Sequence, residues 1–456
     1  MPAPIRRLEF QRRLATLACG LALLAPAGLH AQTLSGAMEP SGPDVSERSA
    51  LHGQATNVTQ WHPKFHAPYT GANSLDPDGR AEETTDVTLY AGTALWRGAE
   101  FWINPEIDQG FGLSDTLGVA GFPSGEAYKV GENRPYLRLP RAFVRQVIAL
   151  GGESGNVEGA ANQLAGPRPV DNLTLTVGKF SVVDVFDANA YAHDPRTDFL
   201  NWSIVDSGAF DYAADPWGFT YGAAAEWTQD RWTWRAGLFQ LSPDPNGKVV
   251  SVDFSKFMVV GEAERRYAWR GRPGKARVLL FANRAPMARY EDAVRLASET
   301  GTVPDVALVR RRAWRAGAAL NVEQELAPDL GVFLRASVDD GSKEAYEFTE
   351  INRSLAAGLS MKGARWKRES DTVGFGLVAN GLSHAARDYF SLGGLGILIG
   401  DGAVSYRSER IVEAYYSLDL YRSLALTFDY QYVDNPAYNA DRGPVDVYAI
   451  RVHAEF

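Results

Sequence analysis

The sequence has a single cysteine, Cys19, among its 456 residues. Because Cys19 lies in an N-terminal segment of export type, the rest of the chain has no thiol for a disulfide, for thiolate catalysis or for a cysteine-ligated metal. Beyond that segment, no apolar run approaches the ~20 residues that a membrane-spanning helix needs, and the mean hydropathy is −0.23. These absences exclude a helical membrane protein. They leave two classes open, a large soluble all-β protein and a transmembrane β-barrel.

The N-terminal segment has the three parts of a secretory signal peptide. Four arginines precede an apolar stretch at 14–24, and small residues lead to a cleavage position after Ala31. A lipid-modified cysteine is not expected, because the apolar stretch continues past Cys19. We expect residues 1–31 to be this signal peptide, residues 32–51 to be a flexible periplasmic segment and residues 52–456 to form the main domain. The protein is therefore predicted to be exported.

The charge balance argues against nucleic acid as a partner. Without residues 1–31 the chain has 42 basic and 54 acidic residues, a net charge of −12. There is thus no excess of Lys and Arg to displace counterions from a phosphate backbone. No cofactor or metal site is predicted either. His62 and His66 are four residues apart, but Pro63 and Pro68 prevent the helix that would align them.

The last twelve residues of the chain alternate between apolar and charged positions. A period of two with one apolar and one charged side predicts a half-buried strand. A chain that ends on an aromatic strand is typical of bacterial outer-membrane barrels. One face of this segment has Tyr448, Ile450, Val452, Ala454 and Phe456, and the other has Arg451, His453 and Glu455.

The same alternation recurs along the chain, and the apolar faces are bulky, with Trp and Tyr near the strand ends. This is the pattern of aromatic girdles at a lipid boundary, so the apolar faces are interpreted as lipid-facing rather than as the interior of a soluble sandwich. The predicted strands are residues 52–60, 85–97, 99–110, 136–150, 171–181, 217–228, 231–241, 254–269, 274–283, 313–325, 330–339, 351–361, 371–379, 409–419, 423–433 and 445–456.

Connections between the sixteen predicted strands alternate between long and mostly short. Short periplasmic turns and long external loops are the asymmetry of outer-membrane barrels, and a barrel of 16–18 strands encloses an aqueous channel. The fold class predicted is therefore an all-β transmembrane antiparallel barrel of about 16 strands, with external loops partly folded into the lumen. The connection 151–170 is an exception, because it is long but falls on the side of the short turns.

Strand phase also identifies polar residues that point into the lumen. Two interpretations of them remain: they solvate the wall of a water-filled channel, or several converge at a constriction and hydrogen-bond neutral polyols. The candidates are Arg145, Glu226, Arg235, Arg335, Glu413, Asp429, Gln431 and Arg451.

The long loop 182–216 is the best candidate for a constriction. It interleaves carboxylates, amides and Arg, which can bridge sugar hydroxyls, with aromatic rings that pack on the C–H face of a sugar. The alternative is that its Asp and Asn residues cap turns and pin the loop to the wall. The loop residues proposed to bind substrate are Asp187, Asn189, Arg196, Asn201 and Trp202.

Several segments resemble the carbohydrate-selective porin family, the OprB-type glucose porins. They include 177–180 (VGKF), 184–202 (DVFDANAYAHDPRTDFLNW), 65–75 (FHAPYTGANSL), 162–166 (NQLAG) and the C-terminal stretch from Asn435. The resemblance covers essentially the whole chain after the signal peptide. It implies an outer-membrane barrel of sixteen strands through which monosaccharides such as glucose pass by facilitated diffusion, without enzymatic activity.

Other functions remain as alternatives to a sugar channel. They are a general non-selective porin, an outer-membrane barrel enzyme and a structural barrel. The expected partners are mono- and small oligosaccharides, outer-membrane lipid and lipopolysaccharide, and the barrel-assembly machinery, which would recognise the strand ending at Phe456. Trimeric association is left open. Arg310, Arg311, Arg312 and Arg315 could pair with lipopolysaccharide phosphates or form a solvated edge.

Overall fold

The structure is a computed structural model that describes residues 47–127, 131–421 and 423–456. The predicted signal peptide and most of the predicted periplasmic segment lie outside the described residues. The first strand begins at Ser49, so the last three residues of the segment predicted to be flexible belong to the barrel.

The described residues form sixteen strands, which confirms the number predicted from alternation and parity. The bounds are β1 Ser49–His62, β2 Arg80–Trp96, β3 Ala99–Gly110, β4 Glu132–Val157, β5 Gly166–Phe180, β6 Thr220–Gln229, β7 Trp232–Gln240, β8 Phe257–Trp269, β9 Arg272–Met287, β10 Arg311–Ala327, β11 Leu330–Asp339, β12 Arg353–Gly363, β13 Arg368–Gly381, β14 Glu409–Tyr421, β15 Leu424–Asp434 and β16 Val445–Glu455.

The sheet closes into an antiparallel barrel. Every strand pairs with its neighbours in sequence, and β1 pairs with β16. Trp61 lies opposite Tyr448 at one end of that closing pair. At the other end, Gly53 and Phe456 exchange two backbone hydrogen bonds of 2.7 and 2.9 Å. The terminal aromatic strand therefore seals the barrel, which removes the free edges that an open sheet would expose.

The apolar faces of the strands point outward. Trp234, Leu334 and Phe428 are 51%, 39% and 51% exposed, whereas the charged side chains in the opposite phase, such as Arg335, are buried inside the barrel. In a soluble barrel the two faces would be exchanged, because water would surround the outside. The lipid-facing interpretation of the alternation thus agrees with the structure.

Short turns join the strands at one end of the barrel. The β8–β9 turn consists of Arg270 and Gly271, whose φ angles of 52° and 78° are both positive, as a two-residue type I′ turn requires. The interpretation of 151–170 as a long connection is wrong. β4 continues to Val157 and β5 begins at Gly166, and bulges near Gly151 let the ladder continue through this glycine-rich sequence.

Long loops at the other end contain the helices. These are α1 Trp202–Val205, α2 Tyr290–Thr300 and α3 His384–Ser391, in the loops that follow β5, β9 and β13. Among the described residues, no helix has the length and apolarity needed to cross a membrane.

Candidate functional site

The loop between β5 and β6, residues 181–219, folds into the barrel, as the sequence predicts for 182–216. Its side chains Phe186, Phe199, Ile204 and Phe210 are completely buried. Asn201 caps the N-terminus of α1 by accepting a hydrogen bond from the Ser203 backbone at 3.1 Å. The loop therefore has a compact core of its own, packed against the wall.

Side chains of β14–β16 hold this loop by its backbone. The carboxylate of Glu413 accepts hydrogen bonds from the backbone N–H groups of Leu200 and Asn201 at 2.5 and 3.0 Å. Arg451 donates to the carbonyls of Pro195 and Asp198 at 2.6 and 2.9 Å. The contacts of Arg451 are charge-assisted, which makes them stronger than hydrogen bonds between neutral groups. They fix one side of the loop.

The strands β10 and β11 hold the other side. The amide of Asn321 donates to the carboxylate of Asp187 at 2.8 Å and accepts from the amide of Asn189 at 2.7 Å. Arg335 donates to the carbonyls of Ile204 and Asp187 at 2.8 and 3.1 Å. Asp187 and Asn189 thus pin the loop to the wall, which is the structural alternative that the sequence left open.

Arg196 is a buried cation at the β2–β3 side of the loop. Its guanidinium lies 3.2 Å from Asp86, 3.4 Å from Glu106 and 3.0 Å from Glu126. Burial alone would lower the pKa of Arg196, but these carboxylates raise that pKa well above its ordinary value. Arg196 therefore stays charged and ties the loop to two strands and to the β3–β4 loop.

A cavity of about 660 Å³ remains between the loop and the wall formed by β4, β5 and β6. Aromatic side chains cover part of its surface, and charged side chains of both signs cover the rest. Its aromatic members are Phe122, Phe143, Trp202, Tyr212, Trp217, Phe219 and Phe348, and its charged members include Glu126, Arg141, Arg145, Arg168, Asp184, Asp194, Arg196, Asp206 and Glu226.

One ion pair links the barrel wall to loop 181–219 at the cavity. Arg141 on β4 donates two hydrogen bonds to the carboxylate of Asp184, at 2.6 and 2.7 Å. Burial would raise the pKa of Asp184, but the charge and hydrogen bonds of Arg141 bring it below its usual value. Asp184 also accepts from the Ser181 backbone at 2.9 Å. The pair therefore fixes the start of the loop while adding no net charge to the cavity.

Three buried polar atoms of loop 181–219 at the cavity wall have no hydrogen-bond partner among the described residues. They are Nδ1 of His193, Nε1 of Trp202 and Oδ1 of Asp206. The first and last are 3.8 Å apart, which is too long for a hydrogen bond. Burial, with the charge of Asp187 as a second cause, raises the pKa of Asp206 well above its ordinary value. An unpaired N–H of Trp202 and an unpaired oxygen of Asp206 thus lie buried at the cavity wall.

The structure separates the residues predicted to bind substrate into two groups. Four of them line the cavity: Arg145, Glu226, Arg196 and Trp202. The others lie in the predicted phase or loop, but they contact loop 181–219 or polar side chains of the wall. They are Asp187, Asn189, Asn201, Arg235, Arg335, Glu413, Asp429 and Arg451.

Several cavity residues were not among the predicted candidates. Arg141, Phe143 and Arg145 occupy alternate positions of β4 and all line the cavity, so strand phase could have identified Arg141 from its neighbour. Strand phase could not have identified Trp217 and Phe348, because neither lies on a strand. They belong to two different loops, and only the packing of those loops brings them to the cavity.

Comparison with known proteins identifies relatives of this arrangement. The family model described as carbohydrate-selective porin, OprB family, matches residues 72–456. Porin AaxA of Chlamydia pneumoniae is 23% identical over 292 residues, 62% of this chain and 56% of that protein. The chain thus spans little more than half the length of this relative.

Solved structures share the architecture. Pseudomonas putida OprB superposes with a TM-score of 0.68 at 16% identity, covering 90% of this chain and 94% of that one. The outer-membrane channel DcaP of Acinetobacter baumannii superposes with a TM-score of 0.51 at 10% identity, covering 91% and 99%. At these identities the likeness shows the fold alone.

Proposed function

Because the chain belongs to the OprB family of carbohydrate-selective porins, we propose that it passes monosaccharides such as glucose across the outer membrane, with weak binding in the cavity between loop 181–219 and the wall. Proteins of this family and fold are channels rather than enzymes, and both imply an outer-membrane location. The specificity for monosaccharides is the proposal, and the cavity supports it.

The position of the cavity is the main support. Its lining includes Asn162 and Gln163, in the β4–β5 hairpin at the short-turn end of the barrel. It also includes Asn246 and Phe348, in long loops at the opposite end. A cavity whose lining reaches both ends of the barrel is the position expected for a path through it, and we propose that the solute takes this path.

The chemistry of the lining suits neutral polyols. Each sugar hydroxyl needs a donor and an acceptor when it leaves water. Trp202 Nε1 and Asp206 Oδ1 are an unpaired donor and an unpaired acceptor, both buried at the cavity wall, and the indole ring, stacked on Phe122 at 5.2 Å, belongs to the aromatic lining. Paired charges such as Arg141 and Asp184 supply further hydrogen-bonding groups without a strong net field. An ion would find little attraction in such a site.

Weak contacts are what facilitated diffusion requires. A solute must bind favourably enough to leave bulk water, but poorly enough to leave the site again. The described side chains offer scattered hydrogen bonds and one stacking surface rather than a closed set of ligands. We therefore expect transport that saturates at high sugar concentration and needs no energy input.

Reconstitution into liposomes tests this proposal. The initial uptake of glucose is compared with that of maltotriose, and with that of arginine as a charged solute of similar size to glucose. We expect glucose uptake to saturate and to exceed arginine uptake. Trp202→Phe, which removes Nε1 but keeps a ring, should reduce glucose uptake more than arginine uptake.

A matched control is Trp269→Phe, since Trp269 is exposed on the outer face at the short-turn end. It should leave both rates unchanged. Uptake rates that follow solute size alone, with no saturation and no effect of Trp202→Phe, would contradict sugar selectivity and support a non-selective porin.

A further inference from the structure

The outer face of the barrel has a shallow groove of about 600 Å³ across β9–β13. Several of its outward cross-strand pairs join a branched side chain to an alanine. Val338 lies opposite Ala318, and Leu355 opposite Ala379. Small residues beside large ones leave a depression in a surface that is otherwise evenly covered by bulky groups.

Two arginines stand at the long-loop end of this groove. Arg353 is the first residue of β12, and Arg410 is the second residue of β14. In the register of β13, Arg353 lies opposite Gly381 and Arg410 opposite Ala379. Their strands are roughly 10 Å apart, since neighbouring strands are about 4.8 Å apart.

Both arginines are exposed, and neither forms an ion pair with a carboxylate of the described residues. The carboxylate nearest in register is Asp434, opposite Arg410 on β15, and it makes no ion pair with Arg410. Two other arginines at this rim have carboxylate partners. Arg310 and Arg311 pair with Glu344 and Asp292.

The lowered pKa of Tyr406 and its contacts indicate an excess of positive charge beside the groove. Partial burial alone would raise its pKa, but hydrogen bonds from Ser408 and Arg353 and the charge of Arg387 lower it. The Arg387 guanidinium lies 3.8 Å above the ring of Tyr406. A loop tyrosine is thus surrounded by cations next to the groove, which favours an anionic ligand here.

We propose that Arg353, Arg410 and the groove form a binding site for lipid A, the phosphorylated, acylated anchor of lipopolysaccharide. Arginine recognises phosphate through parallel N–H···O bonds. A phosphate between the two guanidinium groups would place an acyl chain along the alanines of the groove. The site lies at the long-loop end, where an outer-membrane barrel meets the outer leaflet. It is independent of what the lumen transports.

Native mass spectrometry of the full chain in detergent tests the site, with purified lipid A as the ligand. We expect Arg353→Gln/Arg410→Gln to weaken lipid A binding by at least about tenfold, because two charge-assisted contacts are lost. Ala379→Phe, which fills the groove and leaves the charge unchanged, should also weaken it. Heat-modifiable migration on gels checks that each variant is folded.

The matched control is Arg265→Gln/Arg270→Gln. These two arginines stack on Trp232 and Trp269 near the short-turn end, so their loss should leave lipid A binding unchanged. Equal binding by wild type and Arg353→Gln/Arg410→Gln would overturn the proposal. Equal affinity for phosphatidylglycerol, or a dimer that depends on the same residues and excludes lipid A, would overturn it as well.

Discussion

Arg141 and Asp184, which both line the cavity, form a two-bond ion pair with N–O distances of 2.6 and 2.7 Å. Arg141 belongs to the wall and Asp184 to the first turn of loop 181–219. The pair therefore joins the barrel wall to the loop, the two surfaces that enclose the cavity. Because the two charges cancel, the pair adds no net charge to this part of the cavity.

Replacing Arg141 should change ion selectivity. In Arg141→Gln the carboxylate of Asp184 loses its partner and leaves a negative charge in the cavity, so we expect the permeability ratio of K⁺ to Cl⁻ to rise several-fold. Reversal potentials in planar bilayers under a KCl gradient measure this ratio. Arg141→Gln/Asp184→Asn should restore the wild-type ratio. Arg134→Gln, at an exposed position of the same strand, is the control, and equal ratios in all variants would contradict the prediction.

Glu413→Gln should loosen the loop. The carboxylate accepts two backbone hydrogen bonds, whereas an amide has one acceptor oxygen and would place its NH₂ group against a donor. We expect a loss of about 2 kcal/mol in the free energy of unfolding, the scale of one buried hydrogen-bonding group left unsatisfied, together with larger and noisier conductance. Urea titration in detergent and single-channel recording measure the two effects.

The control for this substitution is Glu369→Gln, because Glu369 is exposed near the short-turn end of β13. Glu369→Gln should change neither the free energy of unfolding nor the single-channel conductance. A stable Glu413→Gln variant with wild-type conductance would show that the contacts of Arg451 and Arg335 are enough to hold the loop.

Trp202 should contribute to sugar binding through its ring and its free Nε1. Trp202→Phe keeps an aromatic surface, so we expect sugar affinity to fall by about fivefold, the scale of one neutral hydrogen bond. Sugar-induced current noise or block in planar bilayers measures the affinity. Because Trp202 also contacts Phe348 at 4.9 Å between ring centroids, Trp202→Ala should in addition lower thermal stability. An unchanged affinity in Trp202→Phe would exclude Nε1 as a ligand.

Asp206 should make stability depend on pH. Burial raises its pKa in the folded protein, so the folded state holds this proton more tightly than the unfolded state. The resulting stabilisation is complete below the ordinary carboxyl pKa of about 3.9, and it is lost as pH rises through the raised pKa. Asp206→Asn should therefore flatten this decline. Thermal unfolding between acidic and alkaline pH, compared with Asp388→Asn at an exposed site, measures the difference.

Sequence patterns were sufficient for the barrel and for the phase of its strands. Arg335, Glu413 and Arg451 were assigned to the interior from alternation alone, and each is buried there. Their partners could not be predicted in the same way. Arg335 bonds to a carbonyl 131 residues away, and nothing local to either residue encodes that contact.

The order of residues by itself determined the number of strands, their outward faces and the loop that enters the barrel, because side chains alternate between the two sides of a strand. Only the tertiary structure decided which interior charges face the cavity and which hold loop 181–219. That division depends on where the loop packs, and packing joins side chains that are far apart in the chain. Arg145 and Arg335 are both inward-facing arginines, but one lines the cavity and the other supports the loop.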